Sequence, residues 1–222
     1  MERTIRVTGK GTISVRPDTI QLNISTEGVC KEYEKALEQG AKNTGLLRES
    51  ISKAGLDPKD LKTTEFAVQT EYERYQDRND NWKRRFVGYK FRHSLYIRFD
   101  NDNVLLGKVL YQLSKCKADA EFSISYTVRD AEPARNELLA KAVADSKKKA
   151  MILTEAAGVR LGDVENIDYS WGRVEVYSEN MHLTRFEGLA MNSNADESFD
   201  IDMEADDIHL EDTVTVVWRI DR

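Results

Sequence analysis

The sequence predicts an α+β fold built from duplicated strand–helix–strand units, with long antiparallel strands, two long helices and one shorter helix. Three observations carry this. Apolar residues alternate with polar ones at Ile20, Leu22 and Ile24, and again at Tyr89, Phe91, His93, Leu95, Ile97 and Phe99, the period of a half-buried strand. Two long stretches switch to three- and four-residue steps, through Leu37, Ala41, Thr44, Leu47, Ile51 and Ala54, and through Leu139, Ala142, Ser146, Ala150, Leu153 and Ala157; each set forms one face of a helix. Finally, KAGLDPKDL (53–61) aligns without gaps onto AAGVRLGDV (156–164), each after a strand and a long helix and before another strand. Two copies make a duplication, too few for a solenoid. The expectation is one domain over 1–222 with two related halves, about 18–75 and 120–178. Local strands that return beside the helices favour α+β over a doubly wound sheet.

In chain order, Ile5 and Val7 start a strand that Ile13 and Val15 resume after Gly9 and Gly11, which read as a bulge bending an edge strand. Pro17 and Asp18 make a tight turn into the second strand. The first long helix, 31–54, closes at Gly55 in the position where left-handed backbone is usual. Gly40 and Gly45 inside it each cost about 1 kcal/mol relative to Ala, with close packing on a sheet as the compensation. Residues 61–75 and 86–99 form two long strands around the tip QDRNDNWK, with Gly88 and Tyr89 near the start of the second. Asp100 or Asp102 caps the short helix, whose apolar side carries Val104, Leu105, Val109, Leu113 and Cys116. After a strand at 122–128, Pro133 opens the second long helix, where its missing N–H costs nothing, and Gly158 closes it. Strands at 164–176 and 214–220 flank an irregular stretch, 179–194.

The 222 residues are enough to bury a sizeable core. The net charge of −6 argues against a dedicated nucleic-acid binder. Cys30 and Cys116 have no metal spacing and read either as two buried thiols or as a disulfide. No apolar run approaches the ~18 residues of a membrane span. The chain enters a strand pattern at once from Met1, without an apolar leader. That points to the cytoplasm, or to the envelope if a leader was removed.

Four stretches invite a chemical reading. Gly9-Lys10-Gly11-Thr12 approaches the end of a phosphate loop but lacks its first glycine, the Ser or Thr after the lysine, and the following helix whose dipole would hold phosphate. The segment 72–99 interleaves cations with rings, as single-strand binders do. Alternation, however, sets most rings opposite Lys90, Arg92 and Arg98, which reads as a core-facing aromatic row with a solvated cationic row behind it; a protein-interaction surface ranks ahead of nucleic acid. Asp200, Asp202, Glu204, Asp206 and Glu211 fit positions 1, 3, 5, 7 and 12 of a calcium loop, but Ala205 occupies the position that needs Gly. A solvated acidic segment at 196–212 explains them better, and it offers a complement to the basic row of another copy. Neither His93, His182 and His209 nor the many carboxylates form a catalytic motif, and no cofactor is implied.

The stretches IRVTGKGTISVRPDTIQLNISTEG, GYKFRHSLYIRFDNDNVLLGKVLYQL, ARNELLAKAVADSKKKAMILTEAAGVRLGDVENI and DIHLEDTVTVVWRI occur in the order of the SIMPL-domain family, which the chain resembles over nearly its whole length. Cys116-Lys117-Ala118 lacks the family's glycine at a helix exit, and the acidic stretch before the last strand lacks its proline. The resemblance implies an α+β protein that self-associates, is connected with stress responses or signalling, and has no catalytic residues to transfer. The expected function is therefore a non-enzymatic homo-oligomer with room for a protein partner, acting through surfaces with Lys90, Arg92 and Arg98 at the interface. The alternative is a small-ligand or cation-binding module using 196–212.

Overall fold

The computed structural model describes residues 3–77, 80–169, 176–178, 181–183 and 198–221. Its elements in order are β1 (Thr4–Val15), β2 (Thr19–Cys30), α1 (Tyr33–Lys53), a 3-10 turn (Pro58–Asp60), β3 (Lys62–Gln76), β4 (Trp82–Asp100), α2 (Asn103–Ser114), β5 (Ala120–Thr127), α3 (Glu132–Ala156), β6 (Arg160–Asp168), β7 (Met181–Leu183) and β8 (Ile208–Asp221). The fold is α+β. The expected final strand begins six residues earlier, at Ile208, because it pairs with β1 along that strand's whole length. The expected strand at 164–176 is instead β6, and 170–175 lie outside the described residues.

The chain divides into two compact units. One comprises Met1–Asp18, Thr127–Ser178 and Ala205–Arg222. Its sheet has the order β1-β8-β6, with antiparallel ladders, and α3 packs on one face. Val7, Val214, Val216 and Trp218 pack with Ala142 and Ala150, while Ile13, Ile208 and Leu210 pack with Ala134 and Leu138. The helix buries Leu138, Ala142, Ser146, Ala150 and Thr154, whereas the expected core residue Leu153 is exposed.

The reason lies in β1. A Cβ on Gly9 would fall 2.0 Å from the Ala142 carbonyl oxygen, and one on Gly11 would fall 2.2 Å from that of Leu138. The strand backbone and the helix backbone touch, so small residues face each other on both sides. β1 pairs with β8 without a register shift, and neither glycine has positive φ. The glycines admit a helix; they do not bulge the strand. Ser146 Oγ donates to the Val7 carbonyl oxygen at 3.1 Å, and the Lys10 N–H donates to Asp145 Oδ2 at 2.8 Å. Lys149, the Lys10 N–H and Lys148 hold the Asp145 carboxyl below the usual range. The helix thus occupies hydrogen-bonding groups of an edge strand, a known protection against stray pairing. The Lys10 N–H that a phosphate loop would use is already committed.

The other unit comprises Thr19–Tyr126 and Glu179–Glu204, with sheet order β3-β4-β2-β5-β7 and helices α1 and α2. Ile20, Leu22, Ile24 and Thr26 of β2 sit opposite Phe99, Ile97, Leu95 and His93 of β4. All eight are buried, together with Leu47 and Ile51 of α1 and Leu106, Val109 and Leu110 of α2. Asp102 caps α2 by accepting from the Val104 and Leu105 N–H groups. In α1 the expected Leu47, Ile51 and Ala54 are buried, but toward the N-terminus Ala36, Gly40 and Asn43 face in and Leu37 is exposed. A Cβ on Gly40 would strike the Phe66 ring, so close packing accounts for that glycine; Gly45 has nothing within 4 Å. Gly55 and Gly158 both have positive φ, 92° and 69°, so each unit contains a long helix, a left-handed glycine and a following strand.

Candidate functional site

The register of β3 and β4 builds an uncovered face. β2 pairs with β4 only as far as the Cys30–Tyr89 pair, whereas β3 and β4 remain paired out to Gln76 and Trp82. Beyond Tyr89 the two strands form a free ribbon, here called the arm. Within it the register steps from Glu71–Gly88 to Tyr72–Phe86, which leaves Val87 as an extra residue. Such a bulge reverses the facing of every later residue of its own strand. Phe86 therefore lies on the same face as Tyr89. Edge-to-face ring contacts link Tyr33 to Tyr89 at 5.6 Å, Tyr89 to Phe86 at 5.4 Å, and Phe86 to Tyr72 at 5.7 Å.

Directly opposite pairs share a face, so this face of the arm carries Tyr72–Phe86, Arg74–Arg84 and Gln76–Trp82. It has three rings and two guanidinium groups, and no carboxylate. Arg84 lies over the Tyr72 ring, 5.0 Å from its centre. Among the described residues neither Arg74 nor Arg84 has an ion pair. Like charges directly across a ladder are destabilising, so the arrangement is one that the isolated chain does not favour. Trp82 is 71% exposed and Phe86 44%. The other face is internally neutralised: Arg85 pairs with Glu73 and lies over Tyr75, and Lys83 pairs with Asp77 at 2.8 Å. A two-stranded ribbon in which two of the four described cations are matched to acids is a poor track for a phosphate backbone, which needs a run of free cations.

The expected basic row is on the solvent-facing side of the sheet, but its charges are shared at home. Lys90 and Arg92 reach Glu27 at 3.0 and 3.4 Å, and Arg98 donates to Gln21 at 2.7 Å while lying over Tyr96. Hydrogen bonding from Lys90, above all, lowers the Glu27 pKa. Cross-strand neighbours supplied these partners, and a single strand's alternation does not show them. Among the described residues of 72–99, Arg74 and Arg84 of the arm are the cations with no hydrogen bond or ion pair. The signal that could have found them is the odd residue between Phe86 and Tyr89, which breaks the alternation at Gly88.

Gly88 packs its α-carbon against β2: a Cβ there would fall 2.3 Å from the Cys30 carbonyl oxygen. Asp18 Oδ1 accepts from the Arg129 N–H at 2.8 Å, next to Pro17 in the turn that ends β1. Asp200, Asp202, Glu204 and Asp206 are exposed along an extended segment whose alternate residue Ile201 is buried. Glu211 lies in β8 and pairs with Lys10 at 2.7 Å. Among the described residues no three His, Cys, Asp or Glu side chains converge as a metal site would require. Cys30 and Cys116 are half-buried free thiols. Ser14 Oγ and His209 Nδ1 lie 2.8 Å apart beside an open depression of about 420 Å³ that Lys141 also lines.

His93 is a structural group. Its Nε2 lies 2.9 Å from Thr63 Oγ1 and its Nδ1 lies 3.1 Å from Thr44 Oγ1. The Thr44 hydroxyl donates to the Gly40 carbonyl oxygen, so Nδ1–H donates to Thr44 and Nε2 accepts from Thr63. Burial, helped by Arg48, lowers the ring's pKa. The neutral imidazole ties α1 to β3 across β4.

No described helix is long and apolar enough to cross a membrane. Two curated proteins are similar to the chain: the 26 kDa periplasmic immunogenic proteins of Brucella melitensis biotype 1 and of Brucella abortus strain S19. Each is 28% identical over 163 residues, which cover 73% of this chain and 65% of the relative. The SIMPL family, described as a protein of unknown function (DUF541), matches residues 5–218. With nearly every element inside that match, the chain belongs to the SIMPL family.

Proposed function

We propose that the protein is a non-enzymatic, self-associating SIMPL-domain protein that acts through protein-contact surfaces in a stress- or signalling-related role. The bare face of the arm is its principal contact. The observation that carries this reading is the set Tyr72, Trp82 and Phe86 standing exposed around the unpaired Arg74 and Arg84. Covering one such ring removes on the order of 100 Å² from water, worth about 2.5 kcal/mol. An isolated two-stranded ribbon is marginal in water, and a covering partner would stabilise it. The periplasmic naming of the Brucella relatives supports work in the bacterial envelope. The test is molar mass by light scattering at tens of micromolar. The expected result is a defined oligomer, and a strict monomer would overturn the reading.

A further inference from the structure

The outer strand of the other sheet offers a surface that the arm's face fits. Among the described residues β6 is an edge strand, paired with β8 alone. Val164 and Ile167 lie opposite Trp218 and Val216 and so share the face on which α3 packs, yet they are 42% and 52% exposed. The helix covers β1 and β8 and leaves these two bare. Asp163 and Glu165, the residues flanking Val164 where the register shifts, are exposed, as is Asp168, which is opposite Thr215 on the other face. Among the described residues none of the three has an ion pair. The strand is thus an apolar shelf with an unpaired acidic border.

The arm presents the complement: rings with an unpaired arginine pair. We infer that, on the self-association reading above, the Tyr72–Trp82–Phe86 face of one copy docks on the β6 shelf of a second copy, its rings on Val164 and Ile167 and Arg74 and Arg84 toward Asp163 and Glu165. The charge pattern selects a second copy. Each surface has the sign the other lacks, and both lie on apolar ground where a guanidinium–carboxylate pair loses water and gains specificity. Two different surfaces meet in such a contact. It is therefore heterologous and propagates from copy to copy, closing into a ring if the rotation allows and forming a filament if it does not. The partner's carboxylates also relieve the repulsion between Arg74 and Arg84.

Charge exchange tests this. The native protein, R74E/R84E, D163R/E165R and the quadruple variant are compared by sedimentation over a concentration series, with melting temperatures as a check on folding. Each double variant alone is expected to associate more weakly by roughly tenfold or more. The equimolar mixture of the two, and the quadruple variant, are expected to recover mass, because each then offers a glutamate arm to an arginine shelf. If arm reversal dissociates the oligomer while shelf reversal does not, or if the quadruple variant fails to recover, the docking is wrong and self-association stands. A monomeric native protein removes both. Binding of a labelled single-stranded oligonucleotide that R74E/R84E abolishes would assign the face to nucleic acid and overturn the docking.

Discussion

Strand β4 is two surfaces in one length of chain. From Phe91 to Phe99 its inward residues are at most 7% exposed, on the face that α1 covers. From Trp82 to Phe86 the same face carries two further rings, Trp82 and Phe86, with Arg84 between them, and both rings are exposed. α1 begins at Tyr33, against Tyr89, and the covering layer starts there. Rings stand on both halves; the covering differs, and the bare half adds Arg84. A strand's alternation therefore tells which residues share a face, and the reach of the neighbouring helix decides whether that face is core or contact surface.

Truncating one ring in each half of β4 should give the largest difference. Phe91→Ala should destabilise the monomer by about 4 kcal/mol, since it opens a cavity in a fully covered core. Phe86→Ala should cost under about 1 kcal/mol in monomer stability and should weaken association instead. Denaturant titration of both variants at a concentration where the protein is monomeric measures this. Equal losses would mean that the arm is structural core.

A second test contrasts glycines that the fold treats oppositely. Gly9→Ala should cost about 3 kcal/mol, because its methyl group meets the Ala142 carbonyl and α3 must move. Gly45→Ala should stabilise by up to about 1 kcal/mol, because nothing lies near it in a helix interior. Thermal unfolding of the two variants checks both signs.

The smallest effect is a pH slope from the covered side. His93 is held neutral, with its folded pKa below the ordinary 6.5. Between the folded pKa and 6.5 the unfolded chain binds more protons, so stability rises with pH through that window and is level above it. Lowering the pH from 7.5 toward 5.5 should reduce the urea midpoint of the native protein, and this component should vanish in His93→Gln. A native midpoint that rises on acidification would contradict a neutral, Thr-held ring. Glu27, Glu49 and Asp145 have lowered pKa values and act in the separate acid range.

The α+β class, the order of long strands and helices, the cap at Asp102 and the glycines after both long helices are legible in the sequence, because each rests on local patterning. The helix stripes are legible at Leu47 and Ile51 in one helix and at Ala142, Ser146 and Ala150 in the other, and are missed toward the ends. Periodicity seeks the largest apolar residues, Leu37 and Leu153, whereas the covered face takes Ala36 with Gly40 in one helix and Thr154 in the other. The candidate site was half legible. The cations and rings of 72–99 stand out, but their sorting into a neutralised face and a bare one depends on the bulge at Val87 and on Glu27 from a neighbouring strand. Both are facts of pairing between segments remote in sequence.

If the bare half of β4 is a contact surface, Trp82→Ser/Phe86→Ser abolishes association, and sedimentation equilibrium beside the native protein measures this. The expected result is a native oligomer, and a variant that sediments as monomer with its melting curve, measured at dilutions where both proteins are monomeric, unchanged. A variant that keeps the native oligomeric mass would contradict it.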